Sequence, residues 1–331
     1  KVMGPEAATE SHPIGYDGVV TSLAFGVAAG LACALFSSIS YLVSRHHGTR
    51  SPGGSRRLLV LAHLLMGLAC LPVAGLLIPA GALPATLFSR HVWSPCLIST
   101  GSYFTGQACV FHLLTRADAS RLSPLLGLKI IALAGIVSLV LQQPLQPGQW
   151  LAVGLCGAAA VLLQRGGAGV TAAALALLAF ACICFAIADL GIVALIDALE
   201  AALPLSRLRA GSLALALTYV LGGVFVLPLV AAEYTRQRPP TGRDWLAAAE
   251  YSAAWLTAMM ALYACIALVG VILSTILQST RGVMSVVLGA VLSHLGWHEL
   301  ESRVDRGMFT KRVIAAIMMT AAIATYLWNV R

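Results

Sequence analysis

The chain has 331 residues, 59% of them hydrophobic and only 10% charged, with a formal net charge of +8. Soluble domains carry about 25% charged residues, so an ordinary water-soluble fold is excluded. Successive apolar runs close to the roughly 20 residues needed to cross a bilayer cover most of the length.

A polar tail, residues 1–18, opens the chain and lacks the apolar core of a signal peptide. The first apolar run is therefore expected to serve as an uncleaved signal anchor. Ten spans are predicted, near residues 19–44, 58–80, 93–114, 122–142, 149–164, 170–196, 210–232, 249–268, 272–296 and 312–330. Runs this rich in Ala, Leu and Val, without polar alternation, argue against a β-barrel. The fold class is thus an all-α polytopic membrane protein.

Each span carries few polar side chains. Ser37, Ser38, Ser40 and Tyr41 crowd the end of span 1, and His63 lies in span 2. Span 3 holds Tyr103, Gln107 and His112, the first two on one helical face. Span 4 holds Lys129, and span 5 the small-residue run "GLCGAAA", which suits close helix approach. Asp189 in span 6 is the acid placed well inside a span; Trp255 and Tyr263 lie in span 8, and Arg281 stands in or beside span 9. Isolated serines, tyrosines and His63 serve interhelical hydrogen bonding more often than ligand contact. The eight cysteines all fall inside spans, where they act as small packing residues.

Charge and aromatic placement support this layout. Fourteen of the Lys and Arg residues, among them Arg56, Arg57, Arg116, Arg121, Arg236, Arg243, Arg303 and Lys311, lie after odd-numbered spans, against five on the other side. This positive-inside bias accounts for the basic charge without nucleic acid and places both termini outside. Trp93, Trp150, Trp245, Trp297 and Trp328 fall at span ends, the interfacial belt of amphipathic rings.

The two halves, 19–165 and 170–331, resemble each other. An offset of 152 sets Lys129 on Arg281, and one of 149 sets Phe36 on Phe185 and Ser40 on Asp189. Five spans per half is odd, so the second half inserts upside down. Such inverted repeats place substrate sites near the midplane, between the halves.

The segments "ADASRLSPLLGLKIIALAGIVSLVL", "PLQPGQWLAVGLCGAAAVLL" and "LQSTRGVMSVVLGAVLSHLGWHELES" resemble the drug/metabolite transporter superfamily, in its ten-helix EamA-like branch. That family commonly shows a Pro-Val step and a Gly-Glu near the ends of its fourth and ninth helices. Here Pro124 lies early, Gln142 and Gln143 stand in the place of the first acid, and Glu299 remains in the second. The resemblance implies two inverted five-helix repeats and secondary transport, with export across a bacterial inner membrane. Organophosphate and nucleotide-sugar branches use basic residues in the same two helices to grip an anion.

Arg281 has two readings: "QSTRG" is the turn between spans 8 and 9, or the turn lies at Ala267–Gly270 and Arg281 is deep in span 9. A charge at that depth costs at least about 2.5 kcal/mol on insertion scales, so it must face a wet cavity or a partner. Lys129 either snorkels to the nearby interface or joins Arg281 in a dibasic site. Asp189 either neutralises one of these cations or carries a coupling proton. Tyr103, Gln107, Trp255 and Tyr263 complete the expected cavity lining.

No His-Glu-x-x-His, Gly-x-Ser-x-Gly or phosphate-cradling Gly-rich loop occurs. No enzyme, metal or cofactor is expected. The sequence reads as a secondary transporter of a small anionic or zwitterionic metabolite, amino-acid-like or an opine-type carboxylate, with lipids as surroundings and protons as a potential coupling ion. An organophosphate or nucleotide-sugar exchanger is the alternative within transport. An intramembrane lipid-modifying enzyme and a non-transporting assembly subunit are alternatives outside it.

Overall fold

The structure, a computed structural model, describes residues 16–50, 54–79, 87, 89–114, 122, 125–164, 171–236, 239–294 and 306–330. Most of the polar tail, the basic loop 115–121, Arg165, Arg238, Arg303, Trp297 and Glu299 lie outside the described residues.

The described segments are helical and contain no strand. They form α1 (Tyr16–Arg50), α2 (Gly54–Leu77), α3 (Arg90–Leu114), α4 (Lys129–Gly135, continued by a π turn over Ile136–Val140), α5 (Pro147–Gln164) and α6 (Ala172–Ala202). Then follow α7 (Arg207–Arg236), α8 (Gly242–Val269), α9 (Val271–Ser279), α10 (Arg281–His294) and α11 (Arg306–Val330). Ala- and Leu-rich runs are strong helix formers, and a helix satisfies its own backbone polar groups without water. Among the described residues, five helices, within α1, α2, α6, α7 and α8, are long and apolar enough to cross a membrane.

Local chemistry sets several boundaries. Thr171 caps α6, accepting from the Ala174 amide, and Thr241 with Asp244 forms a capping box at the start of α8. Gly270, at φ +79°, separates α8 from α9; the left-handed region is open to glycine at little cost. The turn between the two segments therefore falls at Gly270. "QSTRG" is instead a break inside the following segment, at Thr280, so predicted span 9 is not one continuous helix.

A matching break lies in the first half. Gly127 and Leu128 form a turn just before α4. In both places the residue ahead of the break donates its amide three residues back, Leu128 to Leu125 at 3.0 Å and Thr280 to Leu277 at 3.2 Å. The next residue is the basic one, Lys129 or Arg281. Tight i→i+3 bonding of this kind marks a helix interruption.

Helices pair across the sequence halves. The most extensive packing is α1 on α8, α3 on α6, α2 on α7 and α5 on α11. The α2–α7 crossing is backbone against backbone: a Cβ on Gly67 would lie 2.8 Å from the Gly223 Cα. At one end, the buried Glu233 of α7 meets Arg56 at 3.0 Å and Arg57 at 3.7 Å, and Arg57 continues to Asp244 of α8 at 3.2 Å. These ion pairs clamp α2, α7 and α8 together.

Candidate binding cavity between the sequence halves

An internal cavity lies where α1, α2, α3, α4, α6, α7, α8, α9 and α10 converge. It leaves about 50 Å³ for the centres of water-sized molecules, several times what one water needs. The two helix breaks aim its basic residues. Lys129 and Arg281, each the first residue after an interruption, are both 5% exposed and both line the cavity.

Lys129 does not snorkel. Its Nζ donates to Asp189 Oδ2 at 2.7 Å, and Thr275 Oγ1 donates to the same oxygen at 3.3 Å. Asp189 is thus the partner of Lys129 and not of Arg281.

Arg281 is held differently. Its Nη1 donates to the Tyr41 hydroxyl at 3.4 Å, and the guanidinium lies 5.2 Å from the Tyr41 ring centroid. Ser38 donates to the Arg281 carbonyl at 3.2 Å, fixing the backbone at the break. Arg281 Nε is buried without a hydrogen-bond partner, and among the described residues no carboxylate lies within ion-pair distance of the guanidinium. Two further lining atoms, Gln278 Oε1 and Thr100 Oγ1, are also buried and unpartnered. Unsatisfied groups of this kind are costly when left dry, and the cavity beside them has room for water or a polar guest.

An aromatic wall completes the cavity. Trp255 stacks on Tyr103 with centroids 6.1 Å apart and contacts Tyr41 at 5.6 Å. Its Nε1 donates to the Tyr219 hydroxyl at 2.8 Å, which sets the ring's orientation. Tyr263 shares a 2.8 Å hydrogen bond with Thr218. His63 Nδ1 donates to the Leu59 carbonyl at 2.7 Å, and Nε2 shares a 2.9 Å hydrogen bond with the Tyr103 hydroxyl. A carbonyl can only accept, so Nδ1 carries a proton, while the Tyr103 hydroxyl can either donate or accept.

Of the residues singled out from sequence, Arg281, Lys129, Asp189, Tyr103, Trp255 and Tyr263 come together on the lining. Gln107 does not. It lies one turn further along the same face of α3, fully buried, and donates to the Tyr251 hydroxyl at 2.7 Å outside the lining. His63, expected to be structural, lines the cavity, and so does Tyr41. Tyr219, Gln278, Thr100 and Phe185 also line it. Gln278 could have been found from its place three residues before Arg281; Tyr219 carried no signal in an otherwise uniform apolar run.

No protein-family model matches the chain, and no curated protein matches it. Among solved structures, the chain is similar to a crystal structure with a TM-score of 0.60 at 17% identity, covering 93% of this chain and 96% of the other. The likeness is one of fold, extending over nearly the whole length of both chains.

Proposed function

We propose that this protein is a secondary transporter that carries a small anionic or zwitterionic metabolite through the cavity holding Arg281. The reading takes the chain as ten membrane-crossing segments arranged as two inverted five-helix repeats. The exchange of partners across the halves supports that arrangement. Under a five-segment shift, the α1–α8 contact becomes the α6–α3 contact, while α2–α7 and α5–α11 each map onto themselves. A pseudo-twofold axis between the halves gives this pattern, and in such transporters the site sits on that axis among discontinuous helices.

The observation carrying the proposal is the state of Arg281: buried, lining a cavity, and without a carboxylate partner among the described residues. Arginine is not deprotonated in proteins, and its planar fork matches a carboxylate or phosphate. An exchanger of phosphate esters would make fuller use of a dibasic pair, but Lys129 is held here by Asp189. That favours a carboxylate over a phosphate monoester.

Purified protein in liposomes tests the proposal. Carboxylates that raise its unfolding temperature are radiolabelled and followed in counterflow. The expected result is accumulation of unmodified label in wild-type vesicles and none with Arg281→Ala. Chemical conversion of the label, or equal flux in Arg281→Ala, overturns the reading.

A further inference from the structure

We infer that the cavity selects singly charged anions over doubly charged ones, and that Asp189 is the residue that sets this rule. The inference rests on the reading of the cavity as a substrate site and names the charge class it accepts.

The argument comes from comparing the two basic residues. Lys129 and Arg281 occupy equivalent places, each directly after a helix break marked by an i→i+3 bond. Each is met by a side chain from the first helix of the opposite half. Lys129 meets Asp189 of α6 at 2.7 Å, and Arg281 meets Tyr41 of α1 at 3.4 Å. The sequence offset of 149 aligns Asp189 with Ser40. In the structure Ser40 donates to the Ser37 carbonyl, and its neighbour Tyr41 takes the corresponding role.

The two slots therefore differ in charge, not in position. One half supplies a carboxylate to its cation; the other supplies a neutral phenol. Lys129, Asp189 and Arg281 together give the lining one net positive charge when His63 is a neutral imidazole. The guest's anionic group takes the place beside Arg281 that a carboxylate holds beside Lys129.

Chemistry around Arg281 fits a carboxylate. Its Nε is unpartnered, and a guanidinium edge donates to two carboxylate oxygens side by side. A second negative charge would need Lys129, which is engaged, and would lie in the same small cavity as the Asp189 carboxylate. Buried like charges repel strongly at low dielectric.

The test compares phenylacetate with phenyl phosphate, the latter doubly charged at pH 8, by calorimetric titration of the full-length protein in detergent. Wild type is expected to bind phenylacetate at least about tenfold more tightly, a difference of about 1.4 kcal/mol. Asp189→Asn frees Lys129 and reverses the order. Tyr41→Asp gives Arg281 an internal carboxylate and loses both ligands, whereas Tyr41→Phe, adding no charge, still binds phenylacetate. Elution as a single species on size exclusion establishes that each variant is folded. If Tyr41→Asp fails this check, Asp189→Asn carries the test, and if both fail, the wild-type order decides it.

Tighter binding of phenyl phosphate to wild type, an unchanged order in folded Asp189→Asn, or no binding of either ligand to wild type overturns the inference. Binding is read without flux, so the two proposals fail separately. A protein that binds monoanions but does not exchange them refutes transport alone. One that prefers and exchanges dianions refutes the charge rule alone.

Discussion

Lys129 and Asp189 meet at 2.7 Å inside the protein, each side chain 6% exposed, and the pair joins α4 of the first half to α6 of the second. Removing one partner of a buried ion pair leaves an uncompensated charge, at a cost of up to about 3–5 kcal/mol. Removing both, with apolar replacements of similar size, costs much less. Lys129→Met and Asp189→Leu are each expected to lower unfolding resistance in a detergent titration, while the double variant recovers most of the loss. Additive losses in the double-mutant cycle would show that the pair is not coupled.

The α2–α7 crossing depends on Gly67. A Cβ there would press on the Gly223 backbone at 2.8 Å, whereas one on Gly75 meets nothing within 4 Å. Gly67→Val is expected to destabilise the protein by several kcal/mol or prevent folding, through overpacking against a backbone that has no room to yield. Gly75→Val, in the same helix, serves as the control and leaves yield and unfolding temperature near wild type. Equal behaviour of the two variants would remove the crossing as a stability determinant.

Arginine and lysine are not equivalent at position 281. Arg281 engages Tyr41 both through Nη1 and through its ring face, and lysine offers a point charge without the planar fork. Arg281→Lys should therefore fold and keep the charge, yet bind the phenylacetate probe about tenfold more weakly. Arg281→Ala should lose binding below detection. Wild-type affinity in Arg281→Lys would mean that charge alone, without fork geometry, makes the site.

The proposed orientation rests on the loop charges. Loops after the odd-numbered predicted spans hold the excess of Arg and Lys, the pattern of a cytoplasmic face. A cysteine at Pro240, between α7 and α8, should be shielded from an impermeant thiol reagent in intact cells. One at Ser206, between α6 and α7, should react. The native cysteines are buried or half-buried and provide little background. The reverse labelling pattern would invert the proposed topology.

The sequence by itself determined that the chain is helical, apolar and segmented, and it marked the charges that had to be explained. Apolar run length is a local property: about 20 residues without charge specify a helix that can cross a bilayer wherever its neighbours lie. Lys129, Asp189 and Arg281 could be picked out in the same way, because an ionisable group in such a run needs a partner or a cavity. Tertiary structure alone decided who partners whom. These helices are apolar on every side, so no amphipathic stripe announced which face turns inward. Depth along each helix and helix crossing therefore decide the lining: Gln107, one turn beyond Tyr103 on the same face, meets Tyr251 instead of the cavity, and Tyr219 joins the lining from α7. Among the described residues, the same geometry gives Lys129 a carboxylate and Arg281 a phenol. That difference comes from helices more than a hundred residues apart in sequence for Arg281, brought together by packing that includes Gly67 against Gly223.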